Sequence, residues 1–160
     1  MVDKNQAVLD FLITCPSILN SPLYFNFINA KNNNNQFVTV ANDVYTQQPY
    51  IDGSVYKQYT FTIIAFKSVS YNPLVKQTGY TDENVDDMAQ VQALIDWVNE
   101  QDEQYNYPDF GANCFIDSMT ALSDNPNLNS VDTTLTPALA KYSISIRIDY
   151  LDNTKKLWNK

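Results

Sequence analysis

Histidine is absent from this chain of 160 residues. Without imidazole the chain lacks the commonest general base near neutral pH, the commonest metal ligand and the middle member of every nucleophile–histidine triad. Glycine is almost as scarce, with three residues, and the sequence contains neither a glycine-rich loop nor a Gly-Lys-Ser/Thr motif that would cradle a phosphate. We therefore predict a protein that is not an enzyme and uses neither a metal nor a cofactor.

Cysteine and long apolar runs are also scarce. Cys15 and Cys114 are the only cysteines, and each lies in its own apolar run, which favours two buried free thiols over a disulfide. No apolar run approaches the ~20 residues that a membrane-spanning helix needs, and no basic segment followed by a long apolar one opens the chain. We expect a protein that is made and kept in a cytoplasm.

Positive charge is missing from residues 77–140, where twelve acids occur without a lysine or arginine. The whole chain has a net charge of −8. Neutralising nucleic-acid phosphates requires clustered basic side chains, so this region is not expected to bind nucleic acid. Hydrophobic residues make up 44% of the chain and are spread along its length, which predicts one packed domain over residues 1–152. Residues 153–160 are expected to form a basic C-terminal tail.

Hydrophobic periodicity predicts two helices and five to six strands. The helices are expected at residues 4–15 and 85–104, and the strands at residues 24–28, 37–40, 55–69, 114–122, 138–151 and, for a short sixth, 131–135. Residues 29–36 are expected to form a hairpin tip between the first two strands, because this polar segment includes four consecutive asparagines. The order of elements predicts an α+β domain with a mostly antiparallel sheet and both helices packed against one face.

The second helix is the most informative element. Its apolar stripe comprises Met88, Val91, Leu94, Ile95 and Val98, and its opposite face carries Asp86, Asp96, Glu100 and Glu103. Like charges four residues apart destabilise a helix slightly, and no lysine or arginine on this helix offsets them. Two interpretations stay open: an ordinary solvated face, or an acidic surface that serves another molecule.

Aromatic residues lie beside and after this helix. Trp97 is off the apolar stripe, so it is either covered by a loop of its own chain or exposed as an anchor for another subunit. Tyr105, Tyr107 and Phe110 are expected to close the end of the sheet. The acids at the start of the helix, including Asp82, are expected to cap it rather than bind a metal. A hydrolase built on two carboxylates would need two acids close together in a cleft, and Asp109 and Asp117 are the residues to test.

Most of the chain resembles the tail terminator, or tail completion, proteins of long-tailed bacteriophages. This group is also labelled minor capsid or head-tail connector proteins. The resemblance rests on the order of the elements and on two stretches: Leu94-Ile95-Asp96-Trp97-Val98 leading into Asn106-Tyr107-Pro108-Asp109-Phe110-Gly111, and the closing strand from Tyr142 to Tyr150. It implies a structural virion protein that forms a homo-oligomeric ring, expected to be a hexamer. Such a ring caps the tail tube and joins it to the head connector, and DNA passes through its lumen.

The resemblance also implies partners and surfaces. The partners would be other copies of the chain, the tail tube protein, the connector (stopper) protein and the sheath where the tail has one, at the head-proximal end of the tail after assembly in the host cytoplasm. The candidate subunit contacts are Asn32, Asn33, Asn34, Asn35 and Trp97. The candidate lumen or partner face comprises Asp86, Asp96, Glu100 and Glu103, because like charge lets DNA pass without sticking. The competing hypothesis is an acidic binding module, monomeric or dimeric, that docks on a basic partner protein.

Overall fold

The computed structural model of the chain describes residues 2–18, 21–39, 48–69, 83–135 and 138–157. These residues form a mixed, mostly antiparallel sheet and two helices, which confirms the predicted α+β class. The helices are α1 (Lys4–Leu12) and α2 (Glu83–Glu103), and the strands are β1 (Leu23–Phe25), β2 (Asn35–Thr39), β3 (Gln48–Pro49), β4 (Val55–Ser68), β5 (Cys114–Ala121), β6 (Asn127–Asp132) and β7 (Leu139–Asp152). No helix among these residues is long and apolar enough to cross a membrane.

Two long strands form the centre of the sheet. β4 and β7 pair antiparallel over their full lengths, from Val55 opposite Asp152 to Ser68 opposite Leu139. The main strand order is β1-β2-β4-β7-β5, and β3 and β6 pair with the remaining lengths of β4 and β7. The predicted strands at residues 55–69 and 138–151 are therefore confirmed to within a residue at each end.

One face of the sheet, the core face, carries the hydrophobic core. Its fully buried side chains include Phe61 and Ile63 on β4 and Ile144, Ile146 and Ile148 on β7. Both helices pack against this face, since buried residues of α1 and α2 belong to the same cluster as the strand residues. The prediction that two helices cover one face is confirmed, and no helix of the described residues covers the opposite side of the sheet, the outer face.

The predicted hairpin at residues 24–40 is wrong. β1 runs parallel to β2, with Leu23 opposite Asn35 and Phe25 opposite Phe37. β1 ends at Phe25 because Asn26 adopts a positive φ of 47° and bonds to β2: its N–H donates to the Phe37 carbonyl at 2.8 Å, and its Oδ1 accepts from the Thr39 N–H at 3.1 Å. The intervening residues then bring the chain back, so that β2 starts at the same end of the sheet as β1.

Other predicted boundaries differ from the structure. α1 ends at Leu12 rather than Cys15, and hydrogen-bonded turns follow it. β6 begins at Asn127, ahead of the short strand predicted at residues 131–135. Residues 40–47 and 70–82 lie outside the described residues, and so does the capping role proposed for Asp82. Cys15 is buried and Cys114 half-buried, and both are free thiols, as predicted.

The ion pair between Lys57 and Asp152 makes the fold less stable at low pH. Lys57 Nζ lies 2.7 Å from Asp152 Oδ2 where β4 and β7 meet. Burial raises the pKa of Asp152, but hydrogen bonds from Lys57 and Thr154 together outweigh burial and lower that pKa from 3.8 to about 2. A carboxyl whose pKa is lower in the folded state stabilises the fold above the unfolded-state pKa, and this contribution is lost as the pH falls through the folded-state value.

We expect Asp152→Asn to remove this acid sensitivity. Between pH 5 and pH 2 the parent protein should lose about 2 kcal/mol more unfolding free energy than the variant does. Urea unfolding at several pH values measures the difference. Lys57→Met should reduce the loss in the same way, because it removes the positive charge that lowers the carboxyl pKa. Equal acid sensitivity in all three proteins would contradict this assignment.

Candidate functional site

The acidic face of α2, formed by Asp86, Asp96, Glu100 and Glu103, points away from the sheet. All four residues are exposed. The apolar stripe on the other side of the helix is fixed to the core, with Val91, Leu94, Ile95 and Val98 buried and Met88 partly buried against the same cluster. With a rise of 1.5 Å per residue, the acidic face extends over roughly 25 Å of the helix. The pattern of exposure predicted for this helix is confirmed.

Two of these carboxylates, those of Asp96 and Glu100, accept hydrogen bonds from neutral side chains. Gln92 Nε2 donates to Asp96 Oδ1 at 3.2 Å, and Gln104 Nε2 donates to Glu100 Oε1 at 3.2 Å. Within the described part of the chain, the ion pairs fall on other acids and none reaches these four. The acidic face is therefore exposed and has no ion-pair partner among the described residues.

Asp102, although only one helical position from Glu103, has a different role. Its Oδ1 accepts hydrogen bonds from the backbone N–H of Met119 on β5 and from the hydroxyl of Tyr107, both at 2.8 Å. Burial raises the pKa of Tyr107, and the hydrogen bond to the Asp102 carboxylate raises it further, so the phenol stays protonated and donates. Asp102 thus fixes the C-terminal end of α2 to the sheet, a role that its place in an acidic run did not indicate.

The aromatic residues around α2 are divided between core and surface. Trp97 is half-buried with its ring centroid 5.0 Å from that of Phe11, so a helix of the same chain covers part of it, and its role in a subunit contact stays a prediction. Phe110 closes the end of the core, with edge contacts to Tyr59 and Tyr150. Tyr105 is exposed with a positive φ of 54°, so its predicted place at the end of the sheet is wrong.

The four asparagines proposed as a subunit contact are bonded to the end of β4. The Asn33 N–H donates to the Phe66 carbonyl at 2.8 Å, and the Phe66 N–H donates to the Asn34 carbonyl at 3.0 Å. Asn32 Oδ1 accepts from the Ser68 N–H at 2.9 Å, and Asn35 is the first residue of β2. This run therefore continues the pairing of β2 with β4 and does not project as a hairpin tip. Its role in a subunit contact stays a prediction.

The segment before the asparagines is the more exposed one. Phe27 and Ile28 have exposed fractions of 59% and 64%. Hydrogen bonds hold the segment in place: Asn29 Nδ2 donates to the Tyr24 hydroxyl at 3.1 Å, and Asn34 Nδ2 donates to the Asn29 carbonyl at 2.9 Å. The predicted strand at residues 24–28 included Phe27 and Ile28, so their exposure on the surface was not predicted.

A groove of about 730 Å³, the outer-face groove, lies at the other end of the sheet. Tyr56, Leu151 and Phe115 form one cross-strand row in its floor, on β4, β7 and β5. Ile51 lines the groove from the turn before β4 and is fully exposed. Gly53 stabilises that turn at a φ of +86°, and a Cβ there would meet the Lys155 carbonyl oxygen at 2.5 Å. The periodicity of the separate strands gave no sign of this groove.

Asp117 supplies a carboxylate to the groove wall. It is the extra residue of a β-bulge between Ile116 and Ser118, and its Oδ2 accepts from the Tyr56 hydroxyl at 3.2 Å. Burial, together with the negative charges of Asp149 and Asp117, raises the pKa of Tyr56 to about 12, so Tyr56 stays protonated at neutral pH. The other acid named as a hydrolase candidate, Asp109, instead accepts from the Gly111 N–H at 2.8 Å and shapes its own loop.

Asp149 lies one cross-strand row farther along the outer face. It is buried, and its Oδ2 accepts from Ser118 Oγ at 3.1 Å and from Arg147 Nε at 3.2 Å. Its Oδ1 is buried without a hydrogen-bond partner among the described residues. The outer face near the groove therefore combines an apolar surface with two carboxylates, of which Asp149 is paired with Arg147.

Comparison of the chain with protein-family models, with curated proteins and with solved structures found no match.

Proposed function

We propose that the protein is a structural component of a bacteriophage virion, a tail terminator. Copies of the chain form a ring at the head-proximal end of the tail, and the expected number of subunits is six. The ring caps the tail tube, joins it to the head connector and lets DNA pass. The observation that carries the proposal is the acidic face of α2, fixed to the core by its apolar stripe and left without basic partners in the described part of the chain.

An acidic lumen is physically suited to DNA passage. Duplex DNA carries about one negative charge per 1.7 Å of its axis, and basic side chains along a channel would bind those phosphates and arrest the duplex. Carboxylates repel the phosphates and prevent such contacts. We place Asp86, Asp96, Glu100 and Glu103 on the channel wall of the ring.

The oligomeric state is the first test of this proposal. Native mass spectrometry of the purified chain, alone and mixed with the tail tube protein, should show a discrete higher oligomer in at least one of the two conditions. A chain that stays monomeric or dimeric in both would contradict the ring and support the competing acidic binding module.

The two roles of the acidic face are separated by removing its charge. A variant with Asp86→Asn, Asp96→Asn, Glu100→Gln and Glu103→Gln should still assemble on tubes if the face lines a lumen, and the resulting particles should deliver DNA poorly. If the face docks on a basic protein instead, the same variant should fail to bind that protein. A control that neutralises Asp10 and Asp124, exposed acids outside α2, should behave as the parent protein does.

A further inference from the structure

We propose that residues 27–31 of one copy of the chain dock in the outer-face groove of a neighbouring copy. Phe27 and Ile28 would contact the apolar floor of the groove, and Lys31 would pair with Asp117 on its wall. The inference rests on the proposed ring and identifies the surfaces that join its subunits.

The docking segment presents apolar side chains from a fixed backbone. Phe27 and Ile28 are mostly exposed, whereas the residues between them and β2 are hydrogen-bonded to Tyr24 and to the end of β4. The rings of Tyr24 and Phe27 lie 5.8 Å apart. A segment that is already ordered loses little conformational entropy when it binds, so exposed apolar side chains on it are effective anchors.

The groove matches the segment in apolar character and in charge. Its floor is apolar and contributed by Tyr56, Phe115 and Leu151, which suits an aromatic and a branched aliphatic side chain. Asp117 supplies negative charge at the wall, and Lys31 is an exposed base at the end of the segment. A second copy of the chain is therefore an occupant that supplies both the apolar anchors and the opposite charge.

The positions of the two surfaces fit a head-to-tail contact. The segment follows β1 at one edge of the sheet, and the groove includes Phe115 on β5 at the other edge. β1 and β5 lie at opposite ends of the main strand order, four interstrand spacings or roughly 19 Å apart. Two different patches toward opposite edges of the sheet give a heterologous contact, which generates a ring when the rotation closes.

Two single substitutions and their mixture test the contact. Ile28→Ser damages the segment and Ile51→Ser damages the groove, and neither side chain is in the core. Each variant alone should self-associate at least tenfold more weakly, since losing one anchor of about 1.4 kcal/mol has that effect. An equimolar mixture should form dimers, because one intact groove then meets one intact segment. Leu128→Ser, at an exposed site on β6, is the matched control and should assemble as the parent protein does.

The ion pair is tested by exchanging its charges. Lys31→Asp and Asp117→Lys should each weaken self-association, and the double variant should restore it. Sedimentation velocity over a range of concentrations measures all these proteins, with the tail tube protein added if the parent chain assembles only in its presence. Circular dichroism verifies that each variant is folded.

The results distinguish the contact from the ring. If the parent chain forms a ring and the Ile28 and Ile51 variants form it equally well, the contact is wrong and the proposed function stands. The contact is also wrong if both variants are weakened but their mixture gives no dimer. If the parent chain forms no ring in either condition, the proposed function fails as well.

Discussion

Replacing Ile146 with alanine should lower the free energy of unfolding by about 3–4 kcal/mol, among the larger effects expected of a single substitution in this chain. Ile146 is fully buried in the middle of β7, opposite Phe61 on β4 and Ala121 on β5, beneath the two helices. Removing its side chain gives up the free energy of burial and leaves a cavity that close-packed neighbours fill only partly. Such a loss is a large fraction of the stability of an ordinary domain.

Urea unfolding measures the loss as a lower midpoint at an unchanged slope. Ile146→Val should cost about 1 kcal/mol, because it removes one methylene from the same site. Ser145→Ala tests the outer face at the next position, where the Ser145 hydroxyl lies 2.9 Å from that of Thr62, and it should cost no more than about 1 kcal/mol. A similar loss for Ser145→Ala and Ile146→Ala would show that the outer face is as closely packed as the core face.

Elements with a strong internal period were predictable from the sequence. β7 alternates apolar and polar residues from Ala140 to Tyr150 because the side chains of one face are buried in the core, whereas most of those on the other face are only partly buried. The apolar stripe of α2 fixes which side of the helix meets the sheet, and so it also fixes the exposure of Asp86, Asp96, Glu100 and Glu103. The acidic face could be named in advance for this reason.

Features that depend on contacts distant in sequence were not predictable. The parallel pairing of β1 with β2 depends on how Asn26 bonds to Phe37 and Thr39, which no local pattern encodes. Each apolar residue in the floor of the outer-face groove comes from a different strand, so the row exists only in the assembled sheet. The bulge that places Asp117 is likewise a property of the strand pair.

Replacing Asp102 with alanine should lower the free energy of unfolding by about 2–3 kcal/mol. The substitution removes the acceptor of two hydrogen bonds and leaves the N–H of the buried Met119 in β5 without this partner. Bonds to a charged acceptor are stronger than neutral ones, and a buried donor left without a partner costs its full desolvation. Glu103→Ala, at the exposed neighbouring position, is the matched control and should cost less than about 0.5 kcal/mol.

Two further variants separate the parts of this contact. Tyr107→Phe removes only the phenol bond and should cost about 1 kcal/mol, whereas Asp102→Asn keeps an oxygen that can accept and should cost less than the alanine variant.

Hydrogen exchange should show faster opening at the C-terminal end of α2 in Asp102→Ala, because this carboxylate joins that end of the helix to β5. Since Glu100 and Glu103 lie on the same turns, the acidic face should lose its fixed orientation, and any assembly that depends on it should weaken while the Glu103→Ala control assembles normally. Unchanged exchange at α2 in Asp102→Ala would show that the apolar stripe alone holds the helix in place.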